Sequence, residues 1–324
     1  MVELVRADRK SSVLTTSDLA CLSHLPTINL TSGCAHGCLY CYTRGYTNYP
    51  GEGKVILYAN TLEKLRAELP KKREKPSVVY FSPSSDLFQP APEVLDLAYE
   101  IMLYLFEQNV GVAFLTKGRI PERHMKLLVA NSSRVRAAIG LISLDNRVQR
   151  VFEPNAATPE TRLAQLKEFV TAGIVSQVRL DPVLPGLTDD SETIQRICDA
   201  VSKIGVTRMA VSVLFLRPAV AESLRRHVTD ESVRKALFTR FDVPVRLGIH
   251  AGKSNVMALP APERQRIHNL VREIAGTHGI TVRTCSCKNP DISSQCCSIA
   301  GTSPISSETH EQLDLLGEEE RSNS

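Results

Sequence analysis

The feature of the sequence that most constrains the fold is a group of three closely spaced cysteines, Cys34, Cys38 and Cys41. They have the spacing Cys-x3-Cys-x2-Cys and come directly after the apolar run at residues 27–30, which is predicted to be a β-strand. In barrels built from βα units, chemistry gathers at the C-terminal ends of the strands. The motif therefore predicts a metal centre in the first loop of such a barrel.

Three thiolates in one loop can each hold one iron of a 4Fe-4S cluster, which normally takes four protein ligands. The fourth iron would then be open to a small molecule that chelates it through an amine and a carboxylate, and S-adenosylmethionine carries both groups. The alternative is a zinc site with His36 as an additional ligand. Zinc sites more often present two Cys pairs, or a Cys pair with a His pair. Because His36 lies between two of the cysteines, where a residue more often serves the loop, the spacing favours the open cluster.

Strand-like apolar runs alternate along the chain with stretches of helical period. The strands are predicted at residues 27–30, 78–81, 112–115, 135–144, 178–184 and 209–216, and the helices at 62–69, 94–106, 122–130, 159–172 and 191–204. Six such units without an antiparallel hairpin signal predict a parallel sheet, which right-handed crossovers would curl into an open barrel. We therefore expect an α/β fold.

The regular alternation covers residues 26–217, which we interpret as one catalytic barrel preceded by an N-terminal segment at 1–25. Residues 218–301 are predicted to form a C-terminal extension packed on the barrel, with helices at 219–227, 231–241 and 261–279 and a strand at 281–284. Residues 302–324 are rich in Ser and Glu and have the composition of a disordered tail. With 43% hydrophobic residues, the chain of 324 residues can bury a core of this size.

Polar residues follow the second, third and fourth predicted strands, whose ends meet at one edge of a parallel sheet. Ser84, Ser85 and Asp86 supply the oxygen acceptors that an ammonium group needs. Lys117 and Ser143, at the next two strand ends, could hold a carboxylate and a ribose. Simpler explanations also exist, since Ser and Asp commonly cap βα loops and a lone Lys at a strand end is commonly solvated.

The cysteine spacing, with Tyr40 just before the third cysteine, resembles the signature of the radical S-adenosylmethionine (radical SAM) superfamily. Further motifs narrow the resemblance to the spore photoproduct lyase branch over roughly residues 27–216. These motifs are the Ser84-Ser85-Asp86 loop, the pair Thr116-Lys117, and the run Leu-Asp-Pro-Val-Leu-Pro-Gly-Leu-Thr-Asp at 180–189.

The resemblance implies a partial (βα)6 barrel of the TIM type, with a C-terminal extension. It implies a 4Fe-4S cluster on Cys34, Cys38 and Cys41, and it implies that Tyr40 and Tyr42 contact the cofactor and relay the radical. S-adenosylmethionine would be the second cofactor, bound by Tyr40, Ser84, Ser85, Asp86, Lys117 and Ser143. The expected activity is its reductive cleavage to a 5'-deoxyadenosyl radical, with an electron from a flavodoxin- or ferredoxin-type donor and with nucleic acid as the suggested substrate class.

One position departs from the lyase pattern. Photoproduct lyases read Cys-Thr-Ser-Asp in the loop after the second strand, and their cysteine donates a hydrogen atom to the product radical. This chain reads Pro83-Ser84-Ser85-Asp86, and proline carries no transferable hydrogen of that kind. We therefore expect a lyase-like enzyme with another substrate, and not repair of thymine dimers by the same route.

Four more cysteines lie within thirteen residues of the extension: Cys285, Cys287, Cys296 and Cys297. Their number suits a second iron-sulfur cluster or a zinc ion. Cys296 and Cys297 are adjacent and cannot easily both reach one ion, so a three-ligand site with a spare, hydrogen-donating thiol is equally compatible, as is a set of free thiols. Cys21 and Cys198 are isolated, and Cys198 has the helical spacing of a core residue.

The formal net charge of +4, from 39 basic and 35 acidic residues, neither requires nor excludes a nucleic-acid partner. A phosphate-binding face could be formed by Arg217, Arg225, Arg226, His227, Arg234 and Arg240. No export signal or membrane span is recognisable, so we expect a cytoplasmic protein with reduced cysteines and no membrane partner. The competing hypothesis is a non-catalytic iron-sulfur or zinc protein with a structural or redox-sensing role.

Overall fold

The computed structural model describes residues 2–17, 20–249 and 254–299. The predicted tail at 302–324 lies outside the described residues. The strands are β1 (Glu3–Ala7), β2 (Thr15–Thr16), β3 (Pro26–Ile28), β4 (Thr31–Ser32), β5 (Lys54–Tyr58), β6 (Val78–Phe81), β7 (Gly111–Thr116), β8 (Val135–Gly140), β9 (Val175–Val183), β10 (Arg208–Val213), β11 (Val245–Ile249), β12 (Ser254–Ala258) and β13 (Thr281–Thr284). The helices are α1 (Thr61–Glu68), α2 (Pro92–Glu107), α3 (Glu122–Ala130), α4 (Asn146–Phe152), α5 (Pro159–Thr171), α6 (Ser191–Ile204), α7 (Pro218–His227), α8 (Glu231–Thr239) and α9 (Ala261–Thr277).

An eight-stranded sheet forms the centre of the fold, with the order β13-β10-β9-β8-β7-β6-β3-β2. Seven of its strands run parallel, and β2 pairs antiparallel with β3 at one edge. The predicted α/β fold with an open parallel barrel is therefore confirmed. The carboxyl ends of the parallel strands lie at one end of the sheet, where the loops after β3, β6 and β7 can meet.

The strands of the sheet are buried on both faces, as parallel strands between helices usually are. On the helix side, Phe81, Phe114 and Phe169 belong to the main hydrophobic core. On the other side, the small residues Ala113 and Ala138 pack in a second cluster with apolar residues from both ends of the chain, Leu22, Leu25 and Ile299. The small residues leave space inside the barrel, and chain segments outside the regular βα units fill part of it.

Several strands have other bounds in the structure than predicted, and two of these differences change the loops at the carboxyl end of the sheet. The first predicted strand, 27–30, is divided, because the carbonyl of Leu30 accepts a hydrogen bond from the Tyr58 N–H (3.0 Å) and the chain then pairs with β5. The fourth predicted strand ends at Gly140 and not at residue 144. The residues after each break lie in the loops at the carboxyl end of the sheet.

The N-terminal segment and the extension are more structured than predicted. β1 pairs parallel with β5 in a separate three-stranded sheet. In the extension, β11 and β12 form an antiparallel pair, and β13 adds to β10 as the outermost parallel strand. The extension thus contributes its last strand, predicted at 281–284, to the barrel sheet itself. Among the described helices, none has the length and apolar character needed to cross a bilayer.

Candidate active site

The loop that carries Cys34, Cys38 and Cys41 is shaped by two glycines with left-handed backbone. Gly33 has φ +81°, and a Cβ added there would lie 2.5 Å from the Lys54 carbonyl oxygen. Gly37 has φ +65°. Glycine adopts such angles without steric cost. The loop can therefore turn sharply at the end of β4 and bring its cysteines together.

Hydrogen bonds from several elements hold the backbone of this loop. The Ala35 N–H donates to the Gln89 side chain (2.8 Å), and the Leu39 N–H donates to the Phe152 carbonyl (2.9 Å). The Arg44 guanidinium donates to the carbonyls of both Gly37 and Cys38, at 3.1 Å each. The loop is thus fixed through its main chain, without use of the Cys34 and Cys38 thiols.

The three thiols line a cavity of about 230 Å³ at the carboxyl end of the sheet. Burial raises the pKa of Cys34 and of Cys38, and the negative charges of Asp86 and Glu153 raise them further, Asp86 for Cys34 and Glu153 for Cys38. As placed, no group of three or more His, Cys, Asp or Glu side chains in the described parts of the chain could hold a single metal ion. A cubane cluster binds each thiolate to a different iron and so keeps its ligands farther apart than one ion does.

His36 serves the loop, as its position in the motif suggests. Its Nδ1 lies 3.2 Å from the Asn155 carbonyl oxygen, and its Nε2 lies 3.2 Å from an Asp86 carboxylate oxygen. The ring is buried between these partners. The alternative in which His36 joins the cysteines as a zinc ligand has no support in this arrangement.

Asp86 connects three parts of the site. Its carboxylate accepts hydrogen bonds from the Phe88 N–H (2.8 Å), the Thr116 hydroxyl (2.7 Å) and the Lys117 N–H (2.8 Å). Burial alone would raise the pKa of this carboxyl, but the charge of His36 and the surrounding donors lower it. Asp86 lines the cavity as predicted, yet both of its oxygens already have partners within the chain.

The same loop, at residues 82–86, contains three serines and is named the serine loop. Two of its hydroxyls are not used for hydrogen bonds within the described structure. The hydroxyls of Ser82 and Ser85 are buried and have no hydrogen-bond partner in the described structure. The Ser84 N–H donates to the Asn29 side chain (3.0 Å), and all three serines line the cavity. Buried polar atoms are normally paired, so two such hydroxyls fit a site for a polar ligand. Ser82 was missed from the sequence, although it directly precedes the predicted loop.

Lys117 is half-buried just after β7, with its ammonium 5.7 Å from the centre of the Tyr40 ring. Gly140 makes room for it, because a Cβ there would lie 2.9 Å from the Lys117 Cγ. Burial alone would lower the pKa of Lys117, but the negative charges of Cys38, Glu153 and Asp181 together raise it. The structure thus brings a half-buried cation to the cavity.

The two tyrosines beside the third cysteine both reach the cavity. The Tyr40 hydroxyl donates to Glu153, whose other carboxylate oxygen accepts from Arg162. The Tyr42 hydroxyl donates to the Pro83 carbonyl. Burial raises the pKa of both phenols, so both stay protonated and their hydroxyls tie the cysteine loop to α4, α5 and the serine loop.

A second charged group on the cavity wall was missed from the sequence. The Lys288 ammonium lies 2.6 Å from an Asp181 oxygen, and the Arg179 guanidinium lies 2.9 Å from the same oxygen. All three residues line the cavity. Asp181 lies in the run at 180–189 that carries the family resemblance, but its partner Lys288 is more than one hundred residues away.

Two predicted site residues do not line this cavity. The Ser143 hydroxyl accepts the Asp145 N–H (2.9 Å) before α4, because β8 ends three residues earlier than residue 143. Cys296 accepts a hydrogen bond from the Ser298 N–H (3.5 Å). Cys285, Cys287 and Cys297 line the cavity, and so does Cys21, which was predicted to be isolated.

The basic residues predicted as a phosphate-binding face are largely paired within the chain. Arg226 and His227 lie near Glu52, and Arg240 lies near Glu263. Arg217 differs from them, because it lines the cavity. The structure therefore does not gather the predicted residues into one basic face at the cavity.

The open barrel and the cysteine loop define a radical SAM protein. The family model of the Radical SAM superfamily matches residues 28–197, more than half of the chain, and the chain belongs to this superfamily. Membership implies a 4Fe-4S cluster and S-adenosylmethionine as cofactors.

Among curated relatives, an uncharacterised protein of Mycobacterium tuberculosis is 30% identical over 217 residues, which are 64% of this chain and 64% of that protein. The chain thus covers less than two thirds of that relative.

An uncharacterised protein of Acidianus two-tailed virus is 22% identical over 205 residues, 59% of this chain and 67% of that protein. Among solved structures, a mutant spore photoproduct lyase with bound AdoMet and dinucleoside spore photoproduct has a TM-score of 0.63 at 13% identity, with 86% of this chain and 81% of the lyase covered. The radical S-adenosylmethionine methyltransferase TsrM from Kitasatospora setae, with cobalamin and a [4Fe-4S] cluster bound, has a TM-score of 0.53 at 15% identity, with 80% and 53% covered. These likenesses show a shared fold.

Proposed function

We propose that this protein is a radical SAM enzyme that cleaves S-adenosylmethionine reductively and uses the resulting 5'-deoxyadenosyl radical on a substrate other than the thymine dimer. One observation carries the proposal. The three thiols of the motif, two unpartnered buried serine hydroxyls and a half-buried lysine line the same cavity. The thiols can bind an iron-sulfur cluster, the serine hydroxyls can bind an amine, and the lysine can bind a carboxylate.

The proposed cluster ligands are Cys34, Cys38 and Cys41. When bound, the cluster and S-adenosylmethionine supply a low-potential electron and an abstracting radical, which are chemistry of the cofactors and not of side chains. The chain itself binds and orients. Its hydrogen bonds fix the cysteine loop before any ligand arrives, and a preorganised site loses less free energy on binding.

The methionine part of S-adenosylmethionine is proposed to bind between the serine loop and Lys117. The hydroxyls of Ser82 and Ser85 can accept hydrogen bonds from the amine, and the Lys117 ammonium can pair with the carboxylate. Asp86 is then a positioning residue, because its carboxylate is already used to hold the Lys117 N–H and the Thr116 hydroxyl. This differs from the simple expectation that Asp86 itself binds the amine.

The tyrosines are proposed to act at the border between cofactor and substrate. Tyr40 lies beside Lys117 and is held by Glu153, and Tyr42 is held by the Pro83 carbonyl. Pro83 stands where the photoproduct lyases have their hydrogen-donating cysteine. Because a proline cannot donate a hydrogen atom in this way, it supports a substrate different from that of the lyases.

Nucleic acid is the proposed substrate class. Its support is the fold shared with a lyase structure that contains a dinucleoside photoproduct, together with Arg217 on the cavity wall. Binding that depends on phosphates must weaken steeply as salt rises, because counterions are released. An affinity for DNA or RNA oligonucleotides that stays flat with salt would remove this class. A flavodoxin or ferredoxin is the proposed electron donor.

The proposed function is tested by release of 5'-deoxyadenosine. The enzyme is reconstituted anaerobically with iron and sulfide, reduced, and supplied with S-adenosylmethionine. A variant with Cys34, Cys38 and Cys41 all changed to Ala is compared with Cys198→Ala, a matched control in which a buried thiol of α6 is removed. We expect release from the wild type and the control, and none from the triple variant. Equal release from all three, or none from a wild type that holds its cluster, would overturn the proposal.

A further inference from the structure

Four thiols outside the cysteine loop form a second group, which comprises Cys21, Cys285, Cys287 and Cys297. Cys285, Cys287 and Cys297 pack in one buried cluster with Ala210, and Cys21 packs against this cluster. All four cysteines also line the cavity. Their side chains are therefore gathered at one place. The three cysteines of the extension are at most 3% exposed, so this is an interior cluster.

Two N–H donors point at sulfurs of this group. The Cys21 backbone N–H donates to the Cys287 Sγ (3.3 Å), and the Arg179 guanidinium donates to the Cys297 Sγ (3.4 Å). Sulfur is a weak acceptor as a neutral thiol, and charge-assisted donors favour its thiolate form. Such N–H groups around the sulfurs are the kind of outer contacts that support metal-bound thiolates.

The group connects the two edges of the central sheet. Cys21 lies in a short helical turn, Ala20–Leu22, between β2 and β3 at one edge. Cys285 and Cys287 directly follow β13, which is the other edge. The neighbours Leu22 and Ile299 pack together inside the barrel. The four cysteines therefore lie between the two edges of the sheet that forms the open barrel.

We propose that a single zinc ion joins the two edges of the barrel, bound by four thiolates, those of Cys21, Cys285, Cys287 and Cys297. A zinc ion takes four thiolates in a tetrahedron, and Zn–S bonds of about 2.3 Å put the sulfurs ~3.8 Å apart. Cysteines that pack in one cluster can bring their sulfurs to this separation. The ligand atoms of a cubane cluster must be farther apart, so the contacts favour one ion over a second cluster.

Metal binding requires a local adjustment. No group of three or more described His, Cys, Asp or Glu side chains could hold an ion as it now stands, although the four cysteines are in packing contact with one another. Loss of the thiol protons, with small rotations of the side chains, converts these contacts into a coordination shell. The ion would also fix Lys288, the residue after Cys287, against Asp181 on the cavity wall.

This ligand set corrects the predicted quartet of the extension. Cys296 was predicted as a ligand, but its thiol accepts the Ser298 N–H and does not line the cavity with the others. Cys21 takes its place. Cys296 is therefore a matched control, since it is the immediate neighbour of a proposed ligand.

The first test measures metal in a chain that lacks the proposed cluster ligands. Cys34, Cys38 and Cys41 are changed to Ala, so any iron or zinc reports on the second group alone. The full chain is purified under reducing conditions, and zinc, iron and acid-labile sulfide are measured per chain. We expect about one zinc per chain, retained in Cys296→Ser and lost to background in Cys21→Ser and in Cys287→Ser. Because the readout is metal content, failure of this inference is distinguishable from failure of the proposed function.

A second test needs no variant of the second group. The same chain is alkylated in its folded state with and without added zinc, and the modified cysteines are mapped by mass spectrometry. Zinc should protect Cys21, Cys285, Cys287 and Cys297 but not Cys296. Iron with sulfide in place of zinc, a disulfide among these cysteines, equal dependence on Cys296, or no protection by zinc would each overturn the proposal.

Discussion

The buried ion pair behind Tyr40 gives a prediction whose size follows from the structure. The Glu153 side chain is 0% exposed and the Arg162 side chain 1%. The remaining Arg162 donors are held by the carbonyls of Ala157 (2.8 Å) and Gly140 (2.9 Å), so the guanidinium cannot turn to water. Changing Glu153 to Gln keeps the volume but leaves a buried charge without its counterion.

Breaking a buried pair on one side costs about 3–5 kcal/mol. For a chain of this length, at roughly 2 °C per kcal/mol, the Tm should fall by about 6–10 °C. Urea unfolding of Glu153→Gln should show the same loss in the free energy of unfolding. Glu168→Gln, an exposed change on the same helix as Arg162, should cost less than about 0.5 kcal/mol. A Glu153→Gln variant within about 1 kcal/mol of the wild type would refute this reasoning.

Three more predictions concern the site and its support. Gly140→Ala places a Cβ 2.9 Å from the Lys117 Cγ and should displace this side chain. Calorimetric titration should then show S-adenosylmethionine binding that is about tenfold weaker or more, which is the effect of losing one charged hydrogen bond. An unchanged Kd would show that Lys117 does not bind the carboxylate. Asp86→Asn should cost about 2 kcal/mol in urea unfolding near neutral pH, whereas the exposed Asp96→Asn should cost almost nothing. The charge of His36 and the hydrogen-bond donors around Asp86 lower its pKa, although burial alone would raise it. The stability difference should therefore shrink as the pH falls below the usual aspartate range, and a difference that grows would contradict it. Burial lowers the pKa of His268 to about 4, so stability should fall as the pH drops from about 6.5. His268→Gln should flatten that part of the profile, and parallel profiles would contradict it.

Much of the fold could be predicted because the barrel is built from local patterns. The strand at Val78–Phe81 and the helices at Glu122–Ala130 and Ser191–Ile204 have the predicted bounds. Each has a regular apolar period, and polar or Pro residues mark most of the helix starts. The short pairs β1 with β5 and β11 with β12 were missed, because strands of five residues with mixed exposure carry little periodic signal.

The candidate site was predictable only where its residues are close in sequence or lie at strand ends. Cys34, Cys38, Cys41 and the serine loop meet this condition. Ser143 was misplaced because the apolar run at 135–144 continues past the true end of β8. The contact between Cys21 and Cys287 spans 266 residues, and it depends on how the sheet brings its two edges together, which no local pattern encodes.

The central claim is that Cys34, Cys38 and Cys41 hold a cluster with one iron open to S-adenosylmethionine. Electron paramagnetic resonance of the reduced, reconstituted enzyme tests it most directly, with S-adenosylmethionine labelled with nitrogen-15 at its amine. The account predicts a cluster signal that changes when S-adenosylmethionine is added and that shows coupling to the labelled nitrogen. A cluster signal that is unchanged by S-adenosylmethionine, or that survives in the triple Ala variant, would contradict it.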